Sequence, residues 1–346
     1  MTTILVTGAA GFIGSNFVRW VFERAPKAPL PYRVIVLDAL TYAGNLENLS
    51  GLEGKFPFRF VKGDICDAAL VKSILEEEKV DAIINFAAES HVDRSILEPL
   101  AFVRTNIEGT QVLLSEAKNQ NIKKFVQVST DEVYGSLGPT GRFVETTPLD
   151  PTSAYAASKA SADLLVLAAY KTHKQPVCIT RCTNNYGPYQ FPEKLIPLFI
   201  TNALEDKPLP LYGDGKNVRS WVHVDDHSSG IMMVLEKGVA GEVYNIGGDA
   251  EWEKENIEVT KTVLSLLGKS EALIKPVEDR KGHDRRYAID YSKIKRELGW
   301  EPKIDFESGL KSTIDWYLAN RPWWEAIKSG AYKEFYNRYY SNRLTS

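Results

Sequence analysis

The fold is indicated most strongly by the segment Thr3-Ile-Leu-Val-Thr-Gly-Ala-Ala-Gly-Phe-Ile-Gly14. Its apolar first half is typical of a buried β-strand, and the glycines that follow are spaced as in a strand–turn–helix unit. Gly8 permits the tight turn, Gly11 lets the backbone approach a pyrophosphate, and Gly14 allows close contact between helix and strand. A helix that starts here presents its N-terminus to the phosphates. The segment therefore predicts a dinucleotide-binding unit.

Strand-like and helix-like stretches alternate along the first half of the chain. Apolar runs typical of buried strands are found at 3–7, 32–38, 58–64, 82–87, 124–129 and 176–181. Most of them are separated by segments with helical spacing, such as 13–23, 70–79 and 106–118. This alternation predicts an α/β fold with a Rossmann-type doubly wound parallel sheet.

The length and the change of pattern favour two lobes. A chain of 346 residues is long for one core, and Pro and Gly become frequent after about Asn185. The stretch 221–235 reads as a strand followed by a helix, which we expect to return to the first lobe. We therefore expect residues 1–187 plus 218–249 to form the nucleotide-binding domain. Residues 188–217 plus 250–346 would form a smaller, interleaved C-terminal substrate-binding lobe.

Composition argues against several classes of protein. A net charge of −3 with 25% charged residues shows no excess of positive charge for binding nucleic acid or an anionic membrane. No apolar run approaches the roughly 18 residues of a membrane span, and the N-terminus lacks the basic start of a signal peptide. Cys66, Cys178 and Cys182 are odd in number and form no Cys-x-x-Cys. We expect a cytoplasmic protein with reduced thiols and no metal site.

Acidic and small residues follow the predicted strands. Asp38, at the end of the second strand, can accept hydrogen bonds from the adenine ribose hydroxyls and would repel a 2′-phosphate. This favours NAD over NADP, although an ordinary helix cap or surface Asp is the alternative. Asp64-Ile65 and Ala87-Ala88 follow the third and fourth strands, where they would face the adenine and the inner ribose. Taken singly, each pair is equally typical of an ordinary strand end.

The loop after the fourth strand is unusually polar. It reads Glu89-Ser-His-Val-Asp-Arg-Ser95 and lies where ligands bind in open α/β sheets. His91 is a candidate base within it. A His that caps a helix or makes a structural hydrogen bond is the equal alternative.

Tyr155 and Lys159 lie one helical turn apart and therefore share a helix face. A free phenol has a pKa of about 10, too high for a base at neutral pH. The Lys159 ammonium and a nicotinamide cation would both lower it, and Thr130 could hold the same substrate hydroxyl. The continuing helix, 160–170, is apolar on nearly every side, which predicts burial against a partner subunit.

The acids Asp131 and Glu132 follow the predicted strand directly. Such a pair supplies a base for a C–H bond and an acid for a departing hydroxyl, which is what elimination needs. Asp131, as the acid, would need a pKa raised by burial or by the neighbouring carboxylate. The sequence therefore predicts elimination as well as oxidation.

Two further features lie in the second lobe. Lys194, Arg219 and Arg280 are cations suited to a diphosphate through charge-assisted hydrogen bonds. Trp323 and Trp324, next to a proline, are compatible with an interface or with ordinary core.

Several motifs together resemble those of a known family. Resemblance to the extended short-chain dehydrogenases/reductases rests on Gly8-Ala-Ala-Gly-Phe-Ile-Gly14, Ala87-Ala-Glu-Ser-His-Val-Asp-Arg-Ser95, Ser129-Thr-Asp-Glu-Val-Tyr-Gly135 and Tyr155-x-x-x-Lys159. Within that superfamily, the chain resembles the dTDP-glucose 4,6-dehydratase family in two further motifs, Asn184-Asn-Tyr-Gly-Pro-Tyr-Gln-Phe-Pro-Glu-Lys-Leu-Ile-Pro197 and Gly282-His-Asp-Arg-Arg-Tyr-Ala-Ile-Asp290. The resemblance covers nearly the whole chain.

The resemblance implies roles for individual residues. The hexose would be acted on by Thr130, Asp131, Glu132 and Tyr155. NAD would be contacted by Phe12, Ile13, Asp38, Leu40, Thr41, Asp64, Ile65, Thr105, Lys159 and Asn185. A nucleotide-sugar pocket would be formed by Ser90, Thr130, Asn184, Lys194, Leu195, Pro210, Tyr212, Arg219, Asn256, Arg280 and His283. The implied reaction converts dTDP-glucose to its 4-keto-6-deoxy product in a homodimer.

Three alternatives remain open at this point. A UDP-glucose 4,6-dehydratase would perform the same chemistry, and only the base pocket would differ. A nucleotide-sugar 4-epimerase would need Tyr155 and Lys159 but no acid pair. An inactive NAD-sensing scaffold would typically have lost the Tyr or the Lys, and both are present.

Overall fold

A seven-stranded parallel sheet forms the centre of the molecule, as seen in a computed structural model that describes residues 1–279 and 283–329. Its strands are β1 (Thr2–Thr7), β2 (Tyr32–Asp38), β3 (Phe58–Lys62), β4 (Ala82–Asn85), β5 (Lys124–Thr130), β6 (Val177–Cys182) and β10 (Val243–Ile246). They are ordered β10-β6-β5-β4-β1-β2-β3, and each neighbouring pair is parallel. The Rossmann-type fold that the sequence predicts is confirmed.

The strand order reverses between β1 and β4, which lie side by side. In open parallel sheets a ligand crevice forms at such a reversal, outside the carboxyl ends of the strands. β3 and β4 are shorter than predicted, so Asp64 and Ala87 lie just beyond them, in loops at this edge. The fold therefore brings the ends of several strands to one crevice.

Both faces of the sheet are covered by helices. The helices of the described residues, which include some that pack away from this sheet, are α1 (Phe12–Arg19), α2 (Ala68–Glu77), α3 (Val92–Leu97), α4 (Pro99–Phe102), α5 (Thr110–Asn119), α6 (Ala154–His173), α7 (Leu195–Leu204), α8 (Val224–Lys237), α9 (Asn256–Leu266), α10 (Ser292–Leu298), α11 (Phe306–Ala319) and α12 (Arg321–Ser329). Along β1, Ile4 and Val6 belong to the core shared with α1 and α8, whereas Leu5 belongs to the core shared with α2, α5 and α6. Neighbouring residues of a buried strand thus fill opposite cores.

Two predicted helices contain wider turns. The segment predicted over 13–23 is helical to Arg19 and continues as a π-helical turn over Trp20–Arg24. A second π-helical turn, Val103–Gly109, leads into α5. Such turns are often found at functional sites, and Thr105 in the second turn faces the crevice.

Six further strands among the described residues form two smaller sheets. They are β7 (Asn184–Tyr186), β8 (Leu209–Tyr212), β9 (Val218–His223), β11 (Glu253–Glu255), β12 (Ile274–Val277) and β13 (Arg286–Tyr287). β9 pairs with β7, β11 and β13, and β8 pairs with β12. As the sequence predicts, β9 leads directly into α8, which packs on the large sheet. The domain boundaries given above remain a prediction.

The two tryptophans near the end of the described chain differ in environment. Trp324 is fully buried in a cluster with residues of α7, α9 and α11. Trp323 packs on the edge of the same cluster and is half-buried. No helix of the described residues is long and apolar enough to cross a membrane.

Candidate active site

The glycine turn after β1 is closely packed against the next strand ending. Gly8 has φ of +67°, and a Cβ built on it would lie 2.6 Å from the Cα of Ala87. A Cβ on Gly14 would lie 2.7 Å from the Cα of Ala9. Neither position tolerates a side chain, so both glycines are required by geometry. α1 begins at Phe12, with Gly11 as its N-cap, and its first turn contains no acidic residue. This arrangement fits an anionic pyrophosphate.

Asp38 lies at the end of β2 and is 8% exposed. Its Oδ2 accepts from the Ala10 amide at 2.9 Å, and its Oδ1 accepts from the Leu40 amide at 2.8 Å. Burial raises the pKa of the Asp38 carboxyl, and these two amides oppose the shift. Each oxygen retains a lone pair, so the carboxylate can also accept from ribose hydroxyls.

One cavity collects nearly all residues that the sequence assigns to the cofactor. Its wall includes Gly8, Gly11, Phe12, Ile13, Gly14, Asp38, Thr41, Asp64, Ile65, Ala87, Ala88, Thr105, Tyr155, Lys159 and Asn185. Leu40 is the exception, because it does not line the cavity; its amide donates to Oδ1 of Asp38. The donors and the close glycine packing fit a dinucleotide.

The acid pair follows β5 at the start of a 3₁₀ turn, Asp131–Tyr134. Asp131 is 2% exposed, and its Oδ1 lies 3.3 Å from the Thr130 hydroxyl, which donates to it. Its Oδ2 has no hydrogen-bond partner among the described residues. Burial, and then the charge of Glu132, raise the pKa of Asp131 to about 8, against a smaller opposing effect of Arg219. Asp131 therefore holds a proton at neutral pH, as the sequence argument required.

Tyr155 and Lys159 lie on the buried face of α6, at 9% and 3% exposure. The Lys159 ammonium donates to the Val128 carbonyl at 2.7 Å. Burial lowers the pKa of Lys159, and Asp163, one turn further along α6, opposes this. Burial, and then Glu132, raise the pKa of Tyr155 well above its usual value. This direction is opposite to the one expected from the sequence, where Lys159 and a nicotinamide cation were predicted to lower the pKa of Tyr155. The effect of the nicotinamide cation remains a prediction.

A second cavity adjoins the first. Residues that line both are Glu132, Asn184, Asn185, Gln190, Glu193 and Lys194. Of the predicted substrate residues, the second cavity is also lined by Leu195, Pro210, Tyr212, Arg219, Asn256 and His283. Ser90 and Thr130 line the first cavity. Arg280 lies outside the described residues.

Two cations of the second cavity are held in place by carbonyls. Arg219 is 4% exposed, donates to the Asp284 carbonyl at 3.0 Å, and lies 4.4 Å above the Tyr287 ring. The Lys194 ammonium donates to the Ser90 carbonyl at 3.1 Å. These contacts place two positively charged groups at the second cavity, which suits a diphosphate.

The comparisons with known proteins agree with this geometry. The family model described as GDP-mannose 4,6 dehydratase matches residues 5–313. The chain is 53% identical to the dTDP-glucose 4,6-dehydratase of Xanthomonas campestris pv. campestris, over 96% of this chain and 98% of that protein. The chain belongs to the dTDP-glucose 4,6-dehydratase family. Within it, the Bacillus anthracis enzyme, solved in complex with NAD, is 53% identical and superimposes with a TM-score of 0.88 over 95% of this chain and 100% of that one.

Fold alone does not separate the dTDP-glucose 4,6-dehydratase family from its neighbours. The UDP-glucose 4-epimerase of Thermotoga maritima is 32% identical and superimposes with a TM-score of 0.84, over 92% of this chain and 100% of that one. The discrimination must come from side chains, above all from the acid pair after β5.

Glu193 was not predicted from the sequence; it is 4% exposed and lines both cavities. Its Oε1 accepts from the Tyr42 hydroxyl at 3.1 Å, and its Oε2 lies 3.7 Å from Nε2 of His91. Burial raises the pKa of Glu193 to about 7. The only sequence signal was its place inside the motif that begins at Asn184.

His91 and Tyr287 also take positions that the sequence left open. His91 caps α3, with its Nδ1 accepting from the Arg94 amide at 3.4 Å, and it also lines the second cavity. The capping alternative is therefore confirmed for this residue. The Tyr287 ring lies beneath the Arg219 guanidinium, and its hydroxyl donates to the Asp284 carboxylate. The sequence did not predict either contact. Among the described residues, no group of three His, Cys, Asp or Glu could hold a metal ion.

Proposed function

We propose that this protein dehydrates dTDP-glucose to dTDP-4-keto-6-deoxyglucose with NAD as its bound cofactor, as a hydro-lyase of deoxysugar biosynthesis. The observation that carries the proposal is the buried Asp131, whose pKa is raised to about 8 beside Glu132. Both acids share a cavity with Tyr155 and Lys159. An enzyme that only oxidised an alcohol would not need a second, protonated acid there.

The cofactor would lie along the first cavity. Its pyrophosphate would meet the N-terminus of α1, and its adenine ribose would donate to Asp38. The adenine would lie near Asp64 and Ile65, and the nicotinamide end would reach Tyr155. A bound NAD would supply the acceptor for the C4 hydride and its return to C6, which makes the reaction redox-neutral. The carboxylate of Asp38 disfavours the 2′-phosphate of NADP.

The side chains move the protons. Tyr155 takes the proton of the C4 hydroxyl, which Thr130 orients, while the Lys159 ammonium favours the phenolate. The C4 ketone acidifies the C5–H bond, and Glu132 removes that proton. Asp131 protonates the C6 hydroxyl, so that water leaves as the C5–C6 double bond forms. Glu132 then returns its proton to C5, and the proton gained by Tyr155 replaces the one that Asp131 gave.

The nucleotide part of the substrate would occupy the second cavity. Lys194 and Arg219 both line this cavity and would supply positive charge for the diphosphate. Arg280 is a further candidate from the sequence. Asn256 and Tyr212 would complete the pocket beside the base.

Incubation with dTDP-glucose and UDP-glucose separately tests the reaction. The absorbance that 4-keto sugars develop in alkali should appear quickly with dTDP-glucose and slowly, if at all, with UDP-glucose. Faster turnover of UDP-glucose would favour the uracil-specific alternative. Formation of a C4 epimer without loss of water would overturn the dehydratase proposal.

We further propose that the protein is a homodimer whose interface is formed by α6 and the helical segments beside it. We also propose that it is located in the cytoplasm. Large apolar side chains are exposed on adjacent helical segments at Ile96, Leu97, Leu100, Val103 and Leu164. Leu100 is 79% exposed and Leu164 is 58% exposed, which is unusual for leucines in such a group. The three cysteines are free thiols, which fits a reducing compartment.

A further inference from the structure

Trp323 makes a contact that reaches from α12 to the first lobe. Its indole Nε1 donates to Oδ1 of Asn48 at 2.9 Å. The ring is held by edge contacts to Trp316 and Tyr189, with centroids 5.1 Å and 5.8 Å away. The indole therefore has a fixed direction, and its N–H points at a residue far away in sequence.

Asn48 passes this contact to the glycine turn. Asn48 is 2% exposed, and its Nδ2 donates to the Ala10 carbonyl at 2.9 Å. The Ala10 amide in turn donates to Oδ2 of Asp38 at 2.9 Å. Three hydrogen bonds thus connect Trp323 with the carboxylate proposed to hold the adenine ribose.

Trp324 provides a contrast on the same helix. Its indole Nε1 donates to the Tyr317 carbonyl at 2.9 Å, so its hydrogen bond stays within the C-terminal helices. Its ring is fully buried, whereas that of Trp323 is not. Replacing Trp324 should cost more stability, and replacing Trp323 should disturb the glycine turn.

We propose that Trp323 is a positioning residue for NAD, acting through Asn48 and Ala10 on Asp38. The turn contains Gly8 and Gly11, which allow the backbone many conformations. The hydrogen bonds from Trp323 to Asn48 and from Asn48 to Ala10 hold the turn in one conformation, so less conformational entropy is lost when the dinucleotide binds. They keep the Ala10 amide on Oδ2 of Asp38 and leave the remaining lone pairs of the carboxylate for the ribose. This inference rests on the proposed NAD site and adds a residue outside its wall.

The test follows exchange of bound NAD against isotope-labelled NAD in the intact protein. Trp323→Phe keeps an aromatic ring and removes the N–H, and one neutral hydrogen bond of about 1 kcal/mol predicts roughly fivefold faster release. Trp324→Phe is the matched control, expected to lower the melting temperature more while leaving the release rate unchanged. Equal release from parent and Trp323→Phe, or equal acceleration in both variants, would overturn the inference.

A second variant tests the route. Asn48→Asp keeps an acceptor for the indole but replaces the donor to the Ala10 carbonyl with a repelling oxygen. It should release NAD at least as fast as Trp323→Phe, and adding Trp323→Phe to it should change little more. Fully additive effects would mean that Trp323 acts by another path. A parent protein that binds no NAD would instead overturn the proposed function.

Discussion

Replacement of Asp131 by Asn should separate oxidation of the sugar from loss of water. With a pKa raised to about 8, Asp131 is mainly protonated at pH 7. The neutral amide therefore changes the charge near Glu132 and Tyr155 very little. Its oxygen can still accept from the Thr130 hydroxyl, as Oδ1 of Asp131 does at 3.3 Å. What the variant loses is the proton for the C6 hydroxyl.

The loss of a general acid typically slows a step by about 10²–10⁴-fold, or roughly 3–5 kcal/mol of barrier. Hydride transfer from C4 does not use that proton, so oxidation should continue near the parent rate. The variant should accumulate reduced nicotinamide together with a 4-keto sugar that keeps its C6 hydroxyl.

Rapid mixing with dTDP-glucose, followed at the absorbance of reduced nicotinamide, gives the rate of oxidation. Mass analysis of the quenched sugar shows whether water has left. Tyr155→Phe is the control, because it should abolish formation of reduced nicotinamide itself. If Asp131→Asn dehydrates at the parent rate, the acid pair is structural and the proposed mechanism fails.

Three further outcomes are expected. The protonated form of Asp131 is the active one, so single-turnover dehydration should decline as pH rises through about 8, and a flat profile from neutral to alkaline pH would contradict its role. Asp38→Ala should weaken NAD binding about tenfold to a hundredfold, from one lost charged hydrogen bond of roughly 1.5–3 kcal/mol, and should ease exclusion of NADP. Calorimetric titration measures both affinities, and an unchanged NAD affinity would exclude Asp38 as the ribose ligand. Leu100→Asp should yield monomers in sedimentation. The control is Val239→Asp, which changes an exposed residue outside the proposed interface and should leave the dimer intact. A dimeric Leu100→Asp protein would place the interface elsewhere.

Six strands of the large sheet, β1 to β6, were predictable because their signals are local. They are mainly apolar runs, and the glycine turn after Thr7 is formed by adjacent residues. The strands β7, β8, β10, β11, β12 and β13 were not predicted. They contain only two to four residues, and their pairing depends on partners far away in sequence.

The candidate site was predictable where residues follow strand ends or share a helix face. Asp38, Asp131 and Tyr155 belong to this group, and all three lie on one cavity. Glu193 was missed because its burial arises from contacts with Tyr42 and His91, which precede it by a hundred residues or more. Without a bound cofactor the pKa of Tyr155 is raised and not lowered, since sequence spacing shows neighbours along a helix but not the depth of burial.

The position of β10 has a consequence for folding during synthesis. This strand forms one edge of the large sheet beside β6, yet it follows β6 only after β7, β8, β9 and α8. The apolar residues of β5 and β6 lack α8 as cover until Lys237 has left the ribosome, and the outer edge of β6 has no strand to pair with until Val243 has followed. Unpaired strand edges and exposed apolar faces favour aggregation. We therefore expect that a fragment truncated before residue 243 would be insoluble, and that the nascent chain depends on chaperones at this stage.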